Sequence, residues 1–328
     1  MVEHFRIPFI VGAGSGGCRI VSKLNINSVK VAVNSSWKDL EDLPNDVVKV
    51  RAGEGKGSGM DPRMGEKHYK MRRDEFKNIL ESIMKDRNLG RDEVDLIPVV
   101  VTAGFGFGSG SGPYIVEDLK KWFPKSVILA FVTKPFSFEG LRTYWNAWNC
   151  VKKIMDKTGT IIIDNEYVAS ITGKERSVLD VLKTVNEYVS RCIGTFINVA
   201  ASRNVLAGID RTDVGRIARK GFIRLFTTSI NDFTEPELSK IYNSTSTLTP
   251  LEYRFEGKNI EMAIFIQAPK TPSMDIPEKI VKLAKEAFKI DILSAKTMIA
   301  IGGERIRVSV LAGGWGEEYR TWWEDVSQ

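Results

Sequence analysis

Apolar residues in this chain come in short runs, and the stretches between them alternate between glycine-rich and helically patterned. Phe5 to Val11, Val29 to Val33, Val47 to Arg51, Leu96 to Ala103, Ser126 to Val132 and Thr160 to Asp164 each read as a buried strand. Between them, Arg19 to Leu24 and Tyr114 to Trp122 suit helices, and Arg72 to Lys85 sets Phe76, Ile79, Leu80 and Ile83 on one helical face. A longer helix begins at Ser177, where Ser177 and Asp180 resemble a capping box. Val178, Val181, Leu182, Val185, Val189, Cys192, Ile193, Phe196 and Ile197 keep its period, over roughly 35 Å. From Phe222 the pattern changes. A short helix (Glu235 to Tyr242), a strand (Glu261 to Gln267), a helix (Asp275 to Ile290) and two strands (Lys296 to Ile301, Arg305 to Leu311) predict a smaller α+β unit. No internal repeat is visible.

Composition narrows the class without changing this outline. The 328 residues are 43% hydrophobic and 27% charged, with mean hydropathy −0.14, as expected for a globular protein of one large or two medium domains. No apolar run reaches the ~20 residues that span a bilayer, and the N-terminus has no signal-peptide pattern. Cys18, Cys150 and Cys192 are scattered without metal-ligand spacing and read as reduced cytosolic thiols. Only His4 and His68 are present, which argues against a histidine triad or a zinc site. The net charge of +6 is spread among 41 acidic residues. No basic block marks a nucleic-acid tail, although a patch meeting anionic lipid or DNA stays open.

Candidate chemistry sits in three glycine-rich stretches. The most prominent runs from Thr102 to Pro113, with glycine at 104, 106, 108, 110 and 112, between a buried strand and a helix expected to carry Pro113 in its first turn. Strand, glycine loop and helix together make an anion site, because glycine permits close approach and free N–H groups at a helix start face negative charge. Ser109 and Ser111 would add hydroxyl donors; the competing reading is a flexible linker. The stretch from Gly12 to Cys18 satisfies G-x-G-x-x-G, a weak signal shared with NAD-binding proteins. Those proteins want an acid ~20 positions on, and Val29 to Val33 ends instead in Asn34-Ser35-Ser36. The third stretch, Ala52 to Pro62, reads equally as a surface loop or a ligand loop. On the long helix, Leu182 and Asn186 share a face. Asn186 could read a base edge or simply face solvent.

Several of these stretches, in order, resemble FtsZ-type members of the tubulin superfamily. Gly106-Phe107-Gly108-Ser109-Gly110-Ser111-Gly112 is similar to the signature Gly-Gly-Gly-Thr-Gly-Thr/Ser-Gly, with Phe107 at a glycine position. The first loop resembles Gly-x-Gly-Gly-Gly-Gly-Cys-Asn, with Arg19 for asparagine, and Asn34 begins the counterpart of Asn-Thr-Asp. Gly55 to Pro62 resembles the loop that senses the terminal phosphate. Thr133-Lys-Pro-Phe-Ser-Phe-Glu-Gly140 differs from the family's run only at Ser137, and Asn165 follows the sixth strand as in the family. Asp210 and Asp213 stand where the family has its two loop acids, and Gly208 where it has asparagine.

The resemblance implies the fold class: α/β, with a Rossmann-like GTPase domain on a mostly parallel sheet (1–175), a long central helix (176–204), a smaller α+β domain (205–314) and a short tail (315–328). It also implies GTP/GDP with Mg²⁺ as cofactors. The phosphates would be held by Gly14, Ser15, Gly16, Gly17, Cys18, Asn34, Gly57, Gly59, Gly106, Phe107, Gly108, Ser109, Gly110 and Ser111. Ribose and guanine would be held by Glu139, Arg142, Asn165, Leu182 and Asn186, with no protein metal ligand. Arg142 is displaced by one from the family's arginine, where Thr143 stands. Asp210 and Asp213 would be the catalytic pair, completing the site of the next subunit in a head-to-tail homopolymer. The expected setting is cytoplasmic, with filaments at the inner membrane face if a membrane adaptor exists, and with no specific nucleic acid as partner. The chain lacks the disordered linker and apolar terminal peptide of division FtsZ proteins, and Trp322 and Trp323 are either an interaction spot or part of the fold. Two alternatives remain: a slowly hydrolysing filament protein that positions plasmid or phage DNA, and an NAD-dependent oxidoreductase, which fits the first loop alone.

Overall fold

The computed structural model describes residues 4–173, 177–219, 221–251, 260–289 and 291–314, and of residues 204–207 the backbone only. Trp322, Trp323 and the rest of the tail lie outside the described residues. The first half alternates strand and helix: β1 (Phe9–Ala13), α1 (Gly14–Ser22), β2 (Val29–Asn34), α2 (Trp37–Glu41), β3 (Val47–Arg51), α3 (Pro62–Lys70), α4 (Arg73–Asp86), β4 (Leu96–Thr102), α5 (Gly106–Trp122), β5 (Val127–Lys134), α6 (Leu141–Met155), β6 (Gly159–Asp164) and α7 (Asn165–Thr172). The long helix is α8 (Val178–Ala200). After it come β7 (Asn204–Ala207), α9 (Arg211–Ile217), β8 (Gly221–Phe222), β9 (Arg224–Ile230), α10 (Glu235–Ser239), β10 (Ile260–Ala268), α11 (Ile276–Phe288), β11 (Ile292–Ile301) and β12 (Ile306–Gly313).

Seven strands form one sheet in the order β3-β2-β1-β4-β5-β6-β8, every neighbouring pair parallel. β1 and β5 are buried along their whole length and β4 along all of it but Thr102, as a sheet covered on both faces requires. The last strand, β8, comes from beyond the long helix; Gly159 N–H donates to Ala218 O (2.8 Å) and Ile223 N–H to Thr160 O (2.8 Å). The second sheet is mixed, in the order β7-β11-β10-β12-β9. α8 joins the two sheets. Val189, Ile193 and Phe196 are fully buried, and Phe196 meets Phe265 of β10 edge-on with centroids 5.6 Å apart.

Several elements differ from the sequence-based expectation. The first strand begins at Phe9, not Phe5, because Pro8 has no N–H to give a ladder. Phe5 meets the end of α8 instead, its N–H on Ala200 O (3.3 Å) and its ring against Phe265, while Arg6 N–H donates to the Asp95 carboxylate ahead of β4 (2.9 Å). The glycine stretches at 14–17 and 106–112 are helix, not loop, so Pro113 lies inside α5 rather than in its first turn. Finally, α3 occupies residues for which the sequence predicted no element, between the third glycine stretch and the helix expected from Arg72. It is capped by Asp61, whose carboxylate accepts from Arg63 N–H (2.9 Å), with Pro62 at its first position.

Candidate functional site

β1 runs directly into α1, and its neighbour β4 leads through residues 103–105 into α5. From β1 the chain proceeds to β2 on one side, and from β4 to β5 on the other, so a crevice opens between α1 and α5 at the carboxyl ends of these strands. Glycine makes the convergence possible. Gly14 has φ +77°, and a Cβ there would stand 3.2 Å from the Gly108 nitrogen, so the two helix starts touch. Neither start has a side-chain cap or an acidic residue in its first turn. Gly106 N–H donates to Gly59 O (3.0 Å). The N–H groups of Phe107 and Gly108 have no acceptor within the helix. Two helix dipoles therefore aim their positive ends at one place.

The crevice is about 420 Å³, within the range of small-molecule sites. Of the residues singled out from sequence, Gly14, Ser15, Gly16, Asn34, Gly57, Gly59, Gly106, Phe107, Gly108, Glu139, Asn165, Leu182 and Asn186 line it. Phe107 has no positive φ, and its ring is buried in the core, so only its backbone edge faces the crevice. At one end Asn34 is locked: its Nδ2 donates to Ser15 Oγ (3.1 Å) and its Oδ1 accepts from Ser35 N–H (2.9 Å). Ser15 Oγ donates in turn to Asp39, which pairs with Arg19 (3.6 Å). At the other end Ile20, Leu182 and Val185 are apolar beside the Asn186 amide.

Glu139 stands between these ends, its Oε2 accepting Phe136 N–H (2.8 Å). Burial pushes the Glu139 carboxyl above its ordinary pKa, and that single backbone hydrogen bond only partly offsets it. Asn165 is placed by its neighbour Asp164, which caps α7 by accepting Tyr167 N–H (3.1 Å) and forms a buried pair with Lys134 (2.8 Å).

Six predicted ligand residues are turned elsewhere. Gly17 faces the sheet, where a Cβ would come 2.5 Å from Val100 O. Cys18 is buried beneath α1, its thiol directed at Gly12 O (3.4 Å) and Val33 O (3.5 Å), and burial pushes its pKa up to about 12. Ser109 Oγ accepts Gly104 N–H (2.7 Å), Ser111 Oγ donates to Phe107 O (2.7 Å), and Gly110 abuts the Pro62 carbonyl of α3. The Ser111 donor is thus spent inside α5, and Ser109 is directed at the turn that precedes the helix. Arg142 is exposed outside the crevice, and the Thr143 hydroxyl donates to Glu139 O (2.9 Å).

Asp210 and Asp213 lie at the opposite end of the sheet. Asp210 caps α9: Asp213 N–H donates to its Oδ1 (2.9 Å), and Asp210 N–H donates to Asp213 Oδ2 (3.0 Å). The next residue, Arg211, donates to Asp92 O (2.9 Å), just before β4 begins. Asp210 is exposed, whereas Asp213 is buried and contacts Lys296 (2.8 Å) and Arg216 (2.9 Å). Burial alone would raise the Asp213 pKa; the hydrogen bonds from Lys296 and Asp210 N–H, with the charges of Lys296 and Arg216, outweigh it and hold the group below its ordinary value. Gly208 is pressed onto the Thr297 carbonyl, which leaves no room for an asparagine side chain.

Sequence reasoning missed Arg19, Ser35, Ser36, Ser58, Thr102, Ala103, Phe105, Thr133 and Pro135 as lining residues. Most of them flank a motif that was found, and adjacency to a glycine loop was the available signal. Among the described residues no group of three His, Cys, Asp or Glu side chains gathers to hold a metal ion, and no helix is long and apolar enough to cross a membrane.

A parallel α/β sheet with two uncapped helix starts meeting at its switch point defines a class of anion-binding, nucleotide-site proteins. Within that class, the model of the Tubulin/FtsZ family GTPase domain matches residues 9–173, just over half the chain, and the protein belongs to that family. The chain is 25% identical over 326 residues to the cell division protein FtsZ of Aquifex aeolicus (strain VF5), covering 94% of this chain and 83% of that one. Alignments to two Pyrococcus FtsZ 1 proteins reach 58% of their length. Among solved structures, CetZ2 from Haloferax volcanii, a GTPγS-bound protofilament, superposes with TM-score 0.76 at 20% identity, covering 98% of this chain and 97% of that one. An empty FtsZ dimer from M. jannaschii gives 0.74 at 18% identity, with 97% and 90% covered. These structures share the two-sheet fold.

Proposed function

We propose that the protein binds GTP in the crevice, assembles head to tail with copies of itself, and hydrolyses GTP at the junctions. One observation carries this reading. The anion-binding end of the crevice lies at the carboxyl edge of the sheet, and Asp210 and Asp213 lie at the amino edge of the same sheet. A seven-residue strand such as β4 spans roughly 23 Å, so the acids cannot reach their own crevice, whereas a stacked copy brings them to it. Exposed apolar residues suit such stacking: Phe105 lines the crevice, Phe138 and Leu141 flank Glu139 in the chain, and Trp145 lies one turn further along α6. Leu293, on the strand that carries Lys296, is exposed at the other end. The solved relatives described as a protofilament and a dimer agree with self-association.

In this reading the N–H groups at the starts of α1 and α5 hold the phosphates, together with Gly57 and Gly59. Glu139 accepts from the ribose hydroxyls, and Asn165, Leu182 and Asn186 take the base. No side chain of the crevice is assigned to hold Mg²⁺, which needs few protein ligands and would arrive with the nucleotide. When bound it would neutralise charge on the transferred phosphate. A carboxylate delivered by the neighbour would orient the attacking water.

The test is phosphate release per subunit against protein concentration, followed alongside light scattering. Activity per subunit should rise as filaments form. Turnover independent of concentration, or no binding of GTP, defeats the proposal. A second reading, slow hydrolysis in a filament that positions plasmid or phage DNA, is favoured by the two cations on Asp213, which leave Asp210 as the freer acid. Near-stoichiometric retention of GTP in assembled filaments would select it. Division, shape control and membrane work through an adaptor in the cytoplasm are the roles to separate by imaging in the host.

A further inference from the structure

Two of the serines that line the crevice are joined to a buried histidine. Ser35 Oγ lies 2.8 Å from Ser58 Oγ, and Ser58 Oγ lies 2.9 Å from His68 Nδ1. All three side chains are buried, and Ser35 and Ser58 line the crevice. The three residues come from separate elements: the end of β2, the loop between β3 and α3, and α3 itself. The loop is built to hold the chain of hydroxyls. Gly53, Gly55, Gly57 and Gly59 all have positive φ, and Gly53 packs directly on the His68 ring, with room for no Cβ. Gly57 N–H donates to Ser35 O (3.0 Å), and Gly59 O accepts from Gly106 at the start of α5. The loop therefore bridges β2 and the anion end of α5.

We propose that His68 is a positioning residue for the terminal phosphate, setting through Ser58 and Ser35 whether the crevice is offered a hydroxyl donor. The proposal rests on the reading of the crevice as a GTP site. Each serine has one hydroxyl hydrogen. If Nδ1 is bare, Ser58 gives its hydrogen to the ring and Ser35 gives its own to Ser58, so only lone pairs remain toward the ligand. If Nδ1 carries hydrogen, the ring donates to Ser58, and one serine hydrogen is released to the crevice. A phosphate oxygen can only accept. The terminal phosphate of GTP therefore selects the form with hydrogen on Nδ1, and GDP, which lacks that phosphate, does not.

Two measurements test this. The first uses nitrogen-15-labelled histidine in the wild-type chain, with the His4 signals assigned through His4→Gln. The fraction of His68 with hydrogen on Nδ1 should rise when a β,γ-methylene analogue of GTP is added and stay unchanged with GDP. An identical ring state in the free, GDP and analogue forms overturns the proposal, and needs no variant to fold. The second compares affinities. Ser58→Ala and His68→Leu each remove the acceptor that draws a serine hydrogen away from the crevice, so each should raise the GTP-to-GDP affinity ratio, by about tenfold, the scale of one hydrogen bond to a charged acceptor. His68→Asn, whose amide can occupy the Nδ1 position, should restore the ratio to within about twofold. An unchanged ratio in Ser58→Ala and His68→Leu overturns this inference alone. Failure of the wild-type chain to bind GTP overturns the GTP-site reading and this inference with it.

Discussion

Cys18 shows how a single side chain can sit within a motif and outside its site. Its position in the first glycine stretch placed it among the phosphate contacts, but α1 starts four residues earlier and turns the thiol into the core. Cys150 and Cys192 are likewise buried, and burial pushes all three pKa values up to about 12. The thiolate is the reactive form, so a colourimetric thiol reagent should find no group in the folded protein near neutral pH and three on unfolding. Rapid reaction at Cys18 in the native state would contradict its placement. Glu139 makes the opposite case, a residue put in the crevice by sequence and by structure alike. Its raised pKa means that it takes up a proton at higher pH than a free glutamate does. The protonated group no longer accepts from ribose hydroxyls on both oxygens. Nucleotide affinity should therefore fall on mild acidification, and Glu139→Gln should be weaker at neutral pH and flat across the same interval. A wild-type affinity that is level down to the ordinary glutamate range would remove Glu139 from ribose binding. Asp213 has the reverse sign: its lowered pKa gives stability that is present above the ordinary aspartate range and lost as pH falls through the depressed value.

At the level of elements, periodicity located the buried strands and the long helix because one residue pattern decides each of them. Leu182 and Asn186 were legible as a pair because a single helix turn relates them. The glycine stretches were recognised as chemistry but misread as structure. Glycine lowers helix propensity, so Gly106 to Gly112 looks like loop, and what overrides the propensity is tertiary. A Cβ at Gly110 would overlap the Pro62 carbonyl of α3, and one at Gly108 the Thr102 carbonyl at the end of β4. Such close approaches are not written in local sequence. The same holds for the Ser35, Ser58 and His68 chain, whose members are remote in sequence and meet only after three elements have packed. α3, by contrast, carried a readable start in Asp61-Pro62. The packing argument makes a prediction: Gly110→Ala, which would be neutral or favourable in an isolated helix, should destabilise the protein by about 3 kcal/mol through overpacking and loosen nucleotide binding as α3 and α5 part. An unchanged melting temperature would show that the contact is slack.

Across the whole molecule, the two ends of the parallel sheet have different chemistry, one holding the anion crevice and the other Asp210 and Asp213. The order of the seven parallel strands and the second, mixed sheet were only partly legible. β8 joins the first sheet from beyond α8, a pairing that spans 62 positions by register (Gly159↔Gly221) and leaves no local mark. The polarity yields a test by mixing. Asp210→Ala subunits keep an intact crevice and should bind GTP as wild type does, yet turn over only when copolymerised with subunits that keep both acids but bind nucleotide poorly, such as Asn186→Leu, because the neighbour then supplies the missing carboxylate. If a mixture of the two variants stays as inactive as either alone, the acids do not act across a junction.

The separation of crevice and acids also sets an arithmetic of chain ends. In any linear stack, the subunit whose crevice faces outward has no neighbour to finish it. A pair of molecules would then own one working centre, and long threads would approach one per molecule. Short fragments made by shearing should consequently burn fuel more slowly per unit mass than the threads they came from, and their outward-facing tips should stay loaded longest.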